Sequence, residues 1–440
     1  MSFSFAVPES ARYCAVCAAV IVCTFPIFSP CVLAADGLTL AQAQQFAVVR
    51  SHQLSGQDQA VTAARDMAIA AGQWPDPVLK IGIDNLPVDG PDKGSLTRDF
   101  MTMRRLGVMQ ELTSNQKLKW RTERYARSAD KALAEKATIT ASILRATALV
   151  WLERFYAERM AEVMVEQATQ ARLEVAAAEG NYRAGRGSQA DIFAARSALA
   201  MVDDRAADIQ RKVRNAKTML VRWTGRDVDE PLAGIPDIAS HHVDPAMLDA
   251  TLSAHPDIAV LTRQTEIAEA EVKLAEADKQ SDWTVEIAYQ QRGPAYSNMV
   301  SVGFSRPFQW DQKNRQDRAL SSRLAMLEQV RQEREEMLRA RIADTRTMIN
   351  EWQSDIDRVK RYENELIPLA IQRSQATLGA YRGGKASLTE LLAARRNETD
   401  VRLQALELQA ESARLWAQLN FIFPMTQDSQ SAQLQYQDKP

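Results

Sequence analysis

Breakers of regular structure are scarce in this 440-residue chain, which has only 17 glycines and 16 prolines. No proline lies between Pro91 and Pro231, so nothing there forbids very long helices. Cysteine is confined to Cys14, Cys17, Cys23 and Cys31, in the first 31 residues. Charge of one sign is also missing. The 54 Lys+Arg against 56 Asp+Glu leave a net charge of −2, which offers no polybasic field to nucleic acid. There is no Walker A loop, no His-Glu-x-x-His zinc motif and no Gly-x-Ser-x-Gly nucleophile elbow. No constellation of acid, base and nucleophile stands in for them, so an enzyme is the least supported class and no cofactor is expected. After residue 35 no apolar run is long enough for a spanning helix.

The amino-terminal stretch accounts for the cysteines. Arg12 precedes a mostly apolar run from Tyr13 to Phe28, followed by Val32-Leu33-Ala34-Ala35. This pattern predicts a signal peptide over 1–35, cut after Ala34 or Ala35. An uncleaved membrane anchor and lipidation at Cys31 are the competing readings. Phe28-Ser29-Pro30 is a poor lipobox, because proline replaces the small residue before Cys31.

What the chain does have is one short stretch, twice. Tyr182-Arg183-Ala184-Gly185-Arg186-Gly187-Ser188 continues through Asp191 to Arg196, and Tyr381-Arg382-Gly383-Gly384-Lys385-Ala386-Ser387 through Glu390 to Arg395. At an offset of 199 residues, seven of fifteen positions are identical. Each copy reads as a helix end, a glycine turn and a serine-capped start of the next helix. The following helix of the first copy has apolar residues from Ile192 to Leu220 at spacings of three and four, a coiled-coil seam. Moved by 199 residues, the seam runs from Leu391 to Leu419, with Glu398 and Ser412 as its two exceptions.

Around the repeat, the same order of elements occurs in both halves. The first unit, 36–235, is expected to hold a helix over 39–71, strands over about 78–86 and 99–112, and a hairpin turn over about 180–188. The second, 236–425, is expected to hold a helix over 245–279, strands over about 283–291 and 298–308, and a turn over about 380–387. A long helix starts near Asp311 and is interrupted at Pro368. Residues 426–440 read as a polar, disordered tail. Each half is therefore helix, strand, strand, helix, helix, and the fold class is mainly α with a small β part. Strands of this length can cross a membrane when tilted, but four cannot close a barrel. If they enter lipid, several chains must share one barrel. A small soluble β-domain on a coiled-coil protein is the competing reading.

These residues resemble the TolC-like outer membrane factor family. The resemblance covers about Leu38 to Phe423 and rests on the duplicated order with its two Tyr-x-x-Gly-x-x-Ser turns. Pro75-Asp76-Pro77 before the first strand and Asn85 at its end look like the heavy-metal efflux branch of resistance-nodulation-division tripartite pumps. Gln110-Glu111-Leu112 and Arg306-Pro307-Phe308 stand at that branch's strand-to-helix joins. Glu111 and Thr113 depart from prolines often found there. The resemblance implies a homotrimer with a twelve-stranded barrel in the outer membrane of a Gram-negative bacterium, continued by a long periplasmic helical barrel. It implies a passive, gated duct with two protein partners, a periplasmic adaptor and an inner-membrane transporter, and with outer membrane lipids around it. The cargo is expected to be heavy-metal cations; drugs or a type I secreted polypeptide are the alternatives. A periplasmic adaptor or scaffold is the alternative of another class.

On this resemblance the two turns form the inner tip of the duct. Asp191 and Glu390 match the position where acids face the pore, and are the candidate gate residues. The bland reading is a helix first turn, where acids suit the dipole. Tyr182, Arg183, Gly185, Arg186 and Ser188, with Tyr381, Arg382, Gly384, Lys385 and Ser387, are candidates for tip closure or adaptor contact. Met101, Met103 and Met109 share a strand face and read as apolar fill rather than a copper relay. His241-His242 lacks a third ligand for a metal site.

Overall fold

The computed structural model describes residues 37–241, 243–244 and 247–423. The expected signal peptide with Cys31, His242 and the expected tail lie outside the described residues. The first half contains α1 (Leu40–Arg50), α2 (His52–Ala71), β1 (Val78–Asp84), β2 (Met103–Leu112), α3 (Asn115–Arg183) and α4 (Gln189–Thr224). The second contains α5 (Leu248–Ser253), α6 (Pro256–Ala277), β3 (Trp283–Gln291), β4 (Met299–Ser305), α7 (Gln316–Arg361), α8 (Ile367–Arg382) and α9 (Leu388–Asn420).

The 69-residue α3 is the backbone of the molecule and packs along α2, α4, α6 and α9. At ~1.5 Å per residue it spans about 100 Å. The sheet lies at its start and the first glycine turn at its end, so the two features are separated by that length. Midway, the halves share a core with Trp151 of α3, Trp352 of α7, and Trp416 and Phe421 at the carboxyl end. A buried indole needs an acceptor. Trp151 donates to the Leu38 carbonyl at 3.0 Å, Trp352 to that of Ile238 at 3.2 Å and Trp416 to that of Ser240 at 2.9 Å. Two of these carbonyls belong to the segment linking the halves. Leu38 also bridges to Leu232 in that segment.

Local chemistry moves several boundaries. The helix expected over 39–71 is broken at Ser51, which caps α2 by accepting from the Leu54 N–H at 3.3 Å. The helix expected over 245–279 is two: α5 ends before Ala254, and α6 starts at Pro256, whose missing N–H suits a first helical position. The interruption near Pro368 is a π-helical turn over Tyr362–Leu366. There the Ile367 N–H reaches back to the Tyr362 carbonyl, and the turn absorbs the N–H that proline lacks.

The four strands form one antiparallel sheet in the order β1-β2-β3-β4. They have 7, 10, 9 and 7 residues, and three are shorter than expected. β1 stops because Asn85 takes a left-handed φ of 56°. β2 starts late because the Asp99 carboxylate accepts from the N–H groups of Met101 and Thr102, holding a turn there. Phe100 therefore lies outside the strand. β4 stops before Arg306-Pro307, since proline cannot donate to a ladder.

Candidate functional site

Two regions carry chemistry: the paired turns and the sheet. The turns have the same backbone. Gly185 and Gly384 sit at φ 68° and 71°, which favours glycine. In the first, the N–H of Arg186 bonds the Asn181 carbonyl at 2.9 Å and that of Gly185 the Tyr182 carbonyl at 3.0 Å. In the second, Lys385 bonds Ala380 at 2.8 Å and Gly384 bonds Tyr381 at 3.0 Å. Both are Schellman endings.

Ser188 and Ser387 then open α4 and α9 with capping boxes. The Asp191 carboxylate accepts from the Ser188 N–H and hydroxyl, both at 2.8 Å, and the Glu390 carboxylate from the Ser387 N–H at 2.7 Å and hydroxyl at 3.0 Å. These bonds favour the charged form. The backbone bond from Ser188, then its hydroxyl, lowers the Asp191 pKa; Ser387 does the same for Glu390. Within one chain, both acids are helix-capping groups.

The tips differ in their side chains. Leu388, Leu391, Ala178 and Ala195 pack the two hairpins against each other, while Gln189, the counterpart of Leu388, is exposed. Tyr381 is half-buried and accepts a hydrogen bond from Asn181, while Tyr182 is exposed. Arg183, Arg186, Arg382 and Lys385 are exposed. Arg186, Arg382 and Lys385 form no ion pair among the described residues.

A buried ionic group behind the tip escaped the sequence reading. Glu398, one of the two seam exceptions, pairs with Arg395 at 3.1 Å, and Arg395 reaches Glu174 of α3 at 3.6 Å. Burial raises the Glu174 pKa, partly offset by Arg395. A charge at a seam position was the available signal.

The sheet has two unlike faces. Leu79, Ile81, Leu106, Val108, Ile287, Val302 and Phe304 alternate onto one face and are uncovered; Ile81 is 76% and Phe304 68% exposed. Lys80, Asp84, Arg105 and Glu286 alternate onto the other. There Lys80 pairs with Glu286 at 2.8 Å, Arg105 bonds Glu286, and Arg105 lies 3.7 Å from Asp84. Gly107 lets β2 approach β3, since a Cβ there would lie 2.9 Å from that of Ala288. β1 and β4 are open edges within one chain. Beyond β4, Phe308 and Trp310 are 89% and 84% exposed. Met103 and Met109 share the polar face; Met101 precedes the strand. His241 meets Trp352 edge to face, with ring centroids 4.7 Å apart.

The fold of this chain, mainly helical with one small two-faced sheet, is shared with solved outer-membrane channel proteins. Among solved structures, the chain is similar to the outer-membrane channel OprN, with TM-score 0.75 at 16% identity over 88% of this chain and 89% of that one. It is similar to the outer membrane protein VceC from Vibrio cholerae, with TM-score 0.72 at 18% identity over 87% and 95%. The Campylobacter jejuni CmeC outer membrane channel gives TM-score 0.73 at 10% identity over 90% and 88%. No protein-family model and no curated protein sequence matches the chain. At these identities the likeness is one of fold.

Proposed function

We propose that this chain is the outer membrane subunit of a tripartite efflux pump, a passive duct that performs no chemistry. The observation that carries the reading is the uncovered apolar face of a sheet with two open edges. Open edges are not tolerated in lipid, and a closed barrel removes them. Three copies, each supplying four strands, make a twelve-stranded barrel whose apolar face meets lipid and whose charged face lines the lumen. Phe308 and Trp310 then sit at the membrane boundary nearest the helices, where aromatic residues anchor barrels.

The helices of the duplicated units, 36–235 and 236–425, form the periplasmic tube of the homotrimer. The glycine turns end it, about 100 Å from the sheet by the length of α3. A periplasmic adaptor meets the tip through the exposed Arg183, Arg186, Arg382 and Lys385, and an inner-membrane transporter drives the export. Asp191 and Glu390 of three chains gather at the constriction as the gate. Heavy-metal cations are the proposed cargo, supported by the Pro75-Asp76-Pro77 and Asn85 pattern at the ends of β1.

Cell fractionation tests the duct. Trimers in the outer membrane fraction that dissociate only on heating are expected; a soluble periplasmic monomer would overturn the reading. Deletion tests the cargo. Greater sensitivity to one or more of copper, silver, zinc, cobalt and cadmium is expected, and unchanged tolerance to all five removes the metal cargo while leaving the duct.

A further inference from the structure

The apolar face of the sheet has one discordant side chain. Arg104 lies on β2, in register between Ile83 of β1 and Gln291 of β3. By the alternation of a strand it shares the face of Leu106 and Val108. The opposite face keeps its charges in pairs, with Lys80, Arg105, Asp84 and Glu286 bonded to one another. Arg104 has no such partner. Its guanidinium makes no hydrogen bond or ion pair among the described residues, and its Nε is covered yet unbonded. Arg292 nearby is already engaged by the Phe100 carbonyl and the Tyr296 ring.

An unpaired guanidinium on a lipid-facing surface is costly at the bilayer centre and tolerated where it meets headgroups. Arg104 is the second residue of β2 after the loop from Asn85 to Thr102, so it lies at the rim farthest from the helices. Its neighbours suit an anion. Gln291 is its direct cross-strand partner, and Tyr289 pairs with Leu106 one position along, within diagonal reach. The Gln291 amide and the Tyr289 hydroxyl are likewise without partners among the described residues. Below them run Ile81, Ile83 and Leu106, all exposed. Fork-like N–H donors above an apolar wall fit a phosphate that carries acyl chains better than a free phosphate.

We propose that Arg104, with Tyr289 and Gln291, binds the phosphate of a phosphorylated lipid in the outer leaflet of the membrane. The inference rests on the barrel reading above. Its test is thermal melting of the detergent-purified trimer, with trimer content read from unheated gels of the same samples. The probes are diphosphorylated lipid A, the same lipid after phosphatase treatment, and inorganic phosphate. Diphosphorylated lipid A is expected to raise the Tm of the wild type by several degrees, because a ligand of the folded state stabilises it. Arg104→Gln is expected to lose most of that rise, and Arg104→Lys to keep part of it. The dephosphorylated lipid and inorganic phosphate are expected to do little. Equal rises in wild type and Arg104→Gln, equal rises with both lipids, or no rise in the wild type would each overturn the site while the gels still show trimers. Absence of trimers from the wild type would instead sink the barrel reading, and the site with it.

Discussion

Asn181 donates a 2.9 Å hydrogen bond to the Tyr381 hydroxyl, joining the two copies of the repeated turn across 200 residues of sequence. The matched tyrosine of the first copy, Tyr182, is 49% exposed. The copies share a backbone and differ in the work of their side chains. Tyr381→Phe removes the acceptor and is expected to cost about 1 kcal/mol. Tyr182→Phe is expected to change stability by less than about 0.5 kcal/mol. In planar bilayers, more frequent opening is expected for Tyr381→Phe alone. Equal melting and equal opening in the two variants would show that the tips are interchangeable.

Arg395 holds two acids on different helices, Glu174 of α3 and Glu398 of α9, at side-chain exposures of 18%, 13% and 7%. Removing the one cation leaves two buried carboxylates. Arg395→Gln is expected to cost about 3 kcal/mol, as for a broken buried pair. Glu398→Leu installs what Leu199 supplies at the matched place in the first half, and leaves Arg395 with Glu174. Its expected cost is under about 1 kcal/mol. Chemical denaturation of both variants checks the contrast, and a larger loss in Glu398→Leu would refute it.

His255 opens α6, and its Nδ1 accepts from the Asp257 N–H at 3.0 Å. Only the neutral ring can do so. Burial lowers its pKa, Asp257 opposes this, and Arg341 and Arg145 add to it. The sign follows. With a folded pKa below the unfolded value of about 6.5, the contribution is complete above that pH and is lost as pH falls toward the folded value. His255→Asn keeps a capping oxygen that does not titrate. The wild type is expected to lose more Tm than this variant between pH 7.5 and 5. Parallel pH profiles would assign the acid sensitivity elsewhere.

The repeated turn was legible because its chemistry is local. A left-handed glycine and a serine cap impose themselves on any backbone around them. The alternation of β1 to β4 was legible for the same reason. Strand lengths were not, because Asn85 and Asp99 end the ladder through side-chain and backbone choices that leave the alternation intact. The break at Ser51 was hidden by the unbroken helix-forming run around it. Glu398 was read as a flaw in the seam, since its partner through Arg395 is Glu174 of the other half. The two candidate gate acids, Asp191 and Glu390, show the reverse. The sequence put a pore role beside a capping role, and a single chain displays the capping bonds directly.

Gly107 and Ala288 face each other across β2 and β3, and Ala288 is 1% exposed. A Cβ on Gly107 would also lie 3.2 Å from the Ile287 carbonyl oxygen. Gly107→Ala is therefore expected to lower the yield of trimers in the outer membrane severalfold. Gly82→Ala, on the same face with open space around it, is expected to assemble normally. Ala288→Gly should restore assembly to Gly107→Ala, since it removes the atom that collides. Failure of that rescue would place the requirement for Gly107 in backbone freedom rather than in close approach.

Cap and gate roles of Asp191 and Glu390 can be told apart by weakening the cap in one variant and removing the charge in another. Bonds from Ser188 and Ser387 lower both carboxyl pKa values, and an uncapped carboxyl is also charged at neutral pH. The cap contribution is complete above the usual carboxyl range and is lost as pH falls through the lowered values. Ser188→Ala with Ser387→Ala removes the hydroxyl half of each capping box, leaves the backbone N–H bond to the carboxylate and keeps the charge. Asp191→Asn with Glu390→Gln removes the charge and keeps an oxygen that can accept. If six carboxylates line a constriction in the trimer, they attract cations. The amide pair is then expected to reduce cation preference in single-channel recordings, and the alanine pair to leave it near the wild-type value while lowering Tm. Unchanged selectivity in the amide pair would leave both acids with the capping role alone.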